Sequence, residues 1–225
     1  MVKTRQASDL VGATRMDRPE WIASDARTGW VNCTLTNNAS RGKPGFPGVD
    51  AANPRVENTM GNIIRWQEDG DFAATTFAWN HFVMAGNPTL DRADAKGNVK
   101  GDQFGSPDGL WVDGRGVPWI ETDISTSTLG KGDYAATPNN GMLAADTVTG
   151  EIRRFLVGPR GCELTGVIMT PDMKSLFVNI QHPGEPASER SNPDEVTGIS
   201  SWPDKARPRS ATIVITRADG GVIGA

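Results

Sequence analysis

The sequence predicts an all-β fold, a partial β-propeller of about three four-stranded blades, and three observations lead there. Few stretches sustain the 3.6-residue apolar period of a helix. Short runs of β-type residues instead recur between Gly, Asp, Asn and Pro. One template of acid, strand, turn, strand, insert, strand, turn, strand fits three times, beginning near Pro19, Pro107 and Cys162. These copies divide the chain into blades of roughly 14–103, 104–160 and 161–225.

In the first copy Glu20 precedes a strand at 21–24, a turn at 25–29 and a returning strand at 30–36. Its outer pair is expected at 62–67 and 72–79, around Glu68, Asp69, Gly70 and Asp71. In the second copy Asp108 precedes a strand at 110–112, a turn at 113–116, a return at 119–122, and an outer pair at 142–146 and 151–157. In the third copy Glu163 precedes strands at 167–169 and 176–180, with an outer pair at 211–216 and 222–224. A β-sandwich explains strands and turns equally well, but not the threefold recurrence of the acid at the start of each copy.

Propellers close with about four to eight blades. Three would leave strand edges and apolar blade faces open. The expected remedy is further blades upstream in a longer polypeptide, or a second copy of the chain.

The 225 residues carry a net charge of -4 and no block of Lys or Arg, so nothing draws the chain to nucleic acid or to an acidic membrane surface. No apolar run approaches the roughly 20 residues that cross a bilayer, and the chain's start has no hydrophobic export segment. Cys33 and Cys162 make no metal-binding spacing and are expected as buried free thiols.

The first strand of a propeller blade lines the central channel, so Glu20, Asp108 and Glu163 converge at one mouth. Converging carboxylates repel, and a bound cation relieves them. Ca²⁺ suits such oxygen donors. Second strands end at the same face, at Asn37, Asn38, Asp123, Gln181 and His182, which are weaker donors; His182 is either a ligand, a phosphate contact or a packing residue. The inserts at 39–61, 125–141 and 183–210 emerge there too, as walls of a site or as decoration. Pro19 extends Arg18, so Arg18 and Glu20 project on one side, setting a guanidinium fork beside the metal carboxylate as a phosphate contact. His81 is read as structural.

Several segments together resemble the PhoX-type calcium-dependent alkaline phosphatases of bacteria: Thr14 to Trp21 (TRMDRPEW), Asn80 to Gly86 (NHFVMAG), Ser106 to Trp111 (SPDGLW), Gly161 to Gly166 (GCELTG) and Asn179 to Gly184 (NIQHPG). The resemblance implies a six-bladed ring, of which this chain supplies half, with a central cluster of calcium and iron that hydrolyses phosphate monoesters in the periplasm or outside the cell. It also implies that Arg18 binds substrate phosphate, that Glu20 bridges metals, and that Asp108 and Glu163 are further metal ligands. The family's N-terminal half, with an iron-binding cysteine and other carboxylates, has no counterpart here, and neither Cys33 nor Cys162 sits in that cysteine's motif. No Ser/His/Asp arrangement points to a side-chain nucleophile. The rival classes are a calcium-dependent lactonase-type propeller, whose neutral substrate has no need of Arg18, and a propeller that serves only as a binding scaffold.

Overall fold

A computed structural model describes residues 3–188 and 190–224. An exposed helix, α1 (Thr4–Leu10), leads into three sheets. The first holds β1 (Pro19–Ser24), β2 (Val31–Leu35), β3 (Asn62–Glu68) and β4 (Phe77–Met84) in sequence order, each antiparallel to the next. A short β5 (Lys100–Gly101) then forms the outer edge of the middle sheet, parallel to residues Glu151 and Ile152. That sheet otherwise consists of β6 (Pro107–Val112), β7 (Pro118–Thr122), β8 (Gly141–Ala145) and β9 (Glu151–Val157). The third contains β10 (Glu163–Met169), β11 (Ser175–Gln181) and β12 (Ala211–Thr216). The inner strands β1, β6 and β10 pack beside one another, and the described residues form no closed ring.

The expected strands occur in the expected order, with two corrections. The strand expected at 72–79 begins at Phe77 instead. Asp71 accepts the amides of Ala73 and Ala74, and Asp69 donates to Thr76, so the turn consumes the residues in between and leaves Phe72 exposed. The strand expected at 222–224 is absent: Ile223 donates to Met173 and accepts from Arg115, so this segment crosses towards the middle sheet rather than pairing with β12. The sheets therefore hold four, five and three strands rather than four each.

Successive strand residues point to opposite faces, and the middle sheet is apolar on both. Leu110, Ile120, Leu143 and Ile152 join Ile63 and Val83 of the first sheet in one core. Trp119 and Met142 join Leu164, Val167, Leu176 and Val178 of the third in another. Trp119 is wholly buried and its indole N–H still finds an acceptor in Asp113, at 3.2 Å, which lets so large an aromatic side chain sit in the core. The outermost faces differ. The first sheet exposes an apolar groove containing Cys33, Ile64, Trp66, Phe77 and Trp79, and the third exposes Ile168 and Val214.

Candidate active site at the start of the inner strands

The residue two before each acid takes the left-handed conformation, so Arg18 is not extended as its place before Pro19 predicts: Arg18 lies at φ 49°, Ser106 at 50° and Gly161 at 66°. Glycine adopts it freely, whereas the other two are strained. Second-strand amides hold the strained pair, with Thr36 donating to the Arg18 carbonyl at 3.1 Å and Asp123 to the Ser106 carbonyl at 2.9 Å. Just beyond, β1 shifts register between Pro19 and Ile22, and β6 between Pro107 and Leu110. An extra residue at these points re-aims the side chains of Glu20 and Asp108. In β10 the shift comes later, between Thr165 and Ile168, and Glu163 pairs regularly with Gln181.

This local geometry gathers Asp108, Asp123 and Glu163, each offering an oxygen within 4.8 Å of the others'. Asp123, weighed in the sequence only as a weaker donor, stands in the trio, and Glu20 stands outside it. Arg18 links the two, with Nη2 3.4 Å from Glu20 and 3.8 Å from Asp123. The pair sits at the rim, Arg18 half exposed. Burial pushes the Glu163 carboxyl up to about 8, helped by Asp123 and Asp108. Asp108 is raised too, by burial and then by the charges of Glu20 and Asp123, while a hydrogen bond with Glu163 opposes the rise. One proton shared between the two carboxyls accounts for that pattern.

The neighbours are polar. Gln181 donates to Glu163 at 2.9 Å, and His182 Nε2 lies 3.4 Å from the same oxygen. His182 Nδ1 has no hydrogen-bond partner, since Glu185 stands 3.8 Å away. The geometry thus places His182 against Glu163. His81 lies within β4, its Nε2 3.1 Å from the Ala52 carbonyl, far from the acids in the sheet.

Behind the trio, Glu121 is wholly buried, with neither oxygen in a hydrogen bond of ordinary geometry. Burial raises it to about 8, and the amides of Val167 and Gly166 only partly offset this. It occupies the gap left by Gly109, where a Cβ would lie 2.1 Å from its oxygen. The buried run of β7 is the signal that could have marked it: both faces of that strand are covered, so its one acid has to be buried as well.

On the first sheet's side lies a group that no sequence signal marked. Asp17 is buried and accepts from Arg41 Nε at 2.8 Å, Asn38 at 2.8 Å and Asn58 at 3.1 Å. Its backbone amide is held by Asn53. The residue next to it is Arg18, so this network anchors the chain that carries the guanidinium.

Adjoining sheets that bring three carboxylates and an arginine to one mouth define an all-β protein able to hold a cation and an oxyanion side by side. The family model described as alkaline phosphatase PhoX matches residues 1–184, and the chain belongs to that family. Pseudomonas fluorescens PhoX, solved in complex with vanadate, a transition state analogue, is similar at 48% identity with a TM-score of 0.84, over 99% of this chain and 37% of its own. This chain therefore spans 37% of that protein's length. A luciferin-regenerating enzyme aligns at 10% identity with a TM-score of 0.44, over 92% of this chain and 47% of its own, too distant to bear on either fold or activity. A search of curated proteins found no match.

Proposed function

We propose that the chain forms one wall of a metal-dependent phosphatase site for phosphate monoesters, in which Asp108, Asp123 and Glu163 hold a calcium ion, Glu20 extends the ligand set and Arg18 grips the phosphate. The observation that carries this reading is the carboxylate trio beside Arg18. Oxygens bound to one Ca²⁺ at 2.3–2.6 Å lie at most about 5 Å apart. The 4.8 Å span of the trio fits that limit, and its donors are the hard oxygens calcium prefers. Against the trio the structure sets Arg18 at the rim and the His182 ring beside Glu163, neither of them a buried partner like the one Arg41 gives Asp17.

Calcium, with iron as the family resemblance implies, would act as a Lewis acid on the phosphoryl oxygens. For iron this chain offers the carboxylate oxygens and the His182 imidazole beside Glu163. Its thiols are buried, raised to about 11 at Cys33 and about 12 at Cys162 by burial, and neither belongs to the trio. Arg18 supplies two parallel N–H donors to two phosphate oxygens and stabilises the charge that grows on them, with Asn37 and Glu20 setting its orientation. Glu163 releases its proton when a cation takes over the repulsion it relieves. A neutral lactone would leave Arg18 without a role.

The open faces of the first and third sheets, and the 37% span, favour further blades of a longer chain as the partner, ahead of a second copy. The family resemblance favours the periplasm or the cell exterior as the setting of the reaction. No helix among the described residues is long and apolar enough to cross a membrane.

Hydrolysis of p-nitrophenyl phosphate, with calcium and iron measured in the purified protein by elemental analysis, tests the reading. Activity that depends on bound calcium supports it. Metal-free protein of undiminished activity would end it.

A further inference from the structure

The strain at Ser106 has a use. Its φ of 50° repeats the left-handed position that Gly161 fills in the third sheet without strain, yet here the residue is a serine, 2% exposed. Left-handed backbone is strained for a non-glycine residue. The serine side chain must return something for that.

Its Oγ lies 3.2 Å from Asn37 Nδ2 and 3.1 Å from the Tyr134 hydroxyl. Tyr134 in turn donates to the Thr59 carbonyl at 3.1 Å. A carbonyl only accepts, so the whole chain has one direction: Tyr134 O–H to Thr59, Ser106 O–H to Tyr134, Asn37 N–H to Ser106. With its N–H committed, the Asn37 amide turns its oxygen outward, where Arg18 Nη1 donates to it at 3.3 Å. The Ser106 backbone is held as well, its amide donating to Met60 at 2.7 Å. Gly105 completes the arrangement, since a Cβ there would lie 2.4 Å from the Tyr134 oxygen. Burial raises the Tyr134 hydroxyl to about 12, so it keeps its proton.

We propose that Ser106 and Asn37, anchored by Tyr134, are positioning residues that fix the Arg18 guanidinium for the phosphate, an inference that rests on the phosphatase reading for its consequence but not for its geometry.

Ser106→Gly separates this from a structural role. It relieves the strain, so a structural account expects equal or greater stability and unchanged turnover. The proposal expects equal or greater stability with turnover of p-nitrophenyl phosphate and affinity for vanadate each down about tenfold, the scale on which misplaced groups lower rates, at unchanged calcium content. Asn37→Ala should do the same, and the double variant should be no worse than the poorer single, because both act through one chain of bonds. Nuclear magnetic resonance of the Arg18 guanidinium reads the arm independently of catalysis: its Nη signals should be resolved in the parent and averaged in Ser106→Gly. A parent that carries the further blades and still lacks activity counts against the phosphatase reading alone, and the Arg18 signals then decide this inference. Unchanged Arg18 signals, or turnover within twofold in Ser106→Gly of an active parent, overturn it.

Discussion

On the first sheet's side of the mouth, Asp17 is buried yet matched by Arg41 at 2.8 Å and by two asparagine amides. On the other side Asp108, Asp123 and Glu163 crowd within 4.8 Å, and their charges face Arg18 at the rim and the His182 ring beside Glu163. Both regions concentrate acids where water is scarce. The first carries its cation in the sequence and is thereby structural. The second keeps a proton instead, with Glu163 raised to about 8, and a proton is what a metal ion displaces. An acid that is already paired builds the fold, and acids left short of cations mark where a ligand belongs.

The largest effect expected from this contrast is on stability. Asp17→Ala leaves buried Arg41 with Asp50, partly exposed and 3.5 Å from Nη1, as its counter-charge, and breaking a buried pair from one side costs about 3–5 kcal/mol. Urea unfolding should show that loss. A change under 1 kcal/mol would mean the two sides do not differ as described.

The pH dependence follows next. Glu163 and Glu121 are each raised from 4.5 to about 8 in the folded chain, by burial first. Between those values the unfolded chain gives up protons that the folded chain retains, so the metal-free protein loses stability as pH rises from about 4.5 to about 8 and levels off above. The melting temperature across that range checks it, and a rise would show that the acids are already compensated.

Turnover provides a smaller test. Arg18→Lys keeps the charge and loses the fork, so activity on p-nitrophenyl phosphate should fall by about an order of magnitude while bound calcium persists. Activity within twofold of the parent would remove Arg18 from the phosphate. Smallest is Asp108→Asn in the metal-free chain, which should stabilise it by about 1 kcal/mol, the size of one like-charge contact at 4 Å in high dielectric. Destabilisation would show that Asp108 is held as Asp17 is.

The repeat of acid, strand, turn and strand was legible because turn residues and apolar alternation are local, and it put Glu20, Asp108 and Glu163 at equivalent positions. Phe72 was misread because an apolar residue beside a Gly-Asp turn looks like the start of a strand, while Asp71 prolongs the turn by hydrogen bonds that composition does not reveal. The prominence of Asp123 over Glu20 depends on where the β6 and β1 bulges aim their acids, which is a matter of register. The Asp17–Arg41 pair and the Tyr134–Ser106–Asn37 chain join residues 24 to 69 positions apart, and nothing local links them.

Calcium titration of the metal-free chain by calorimetry, set beside the Asp108→Asn, Glu163→Gln double variant, tests most directly whether the trio awaits a cation. The account predicts calcium binding with proton release below pH 8 in the parent, and neither in the double variant. Calcium binding of equal strength in both proteins, or no binding and no proton release in the parent, would contradict it.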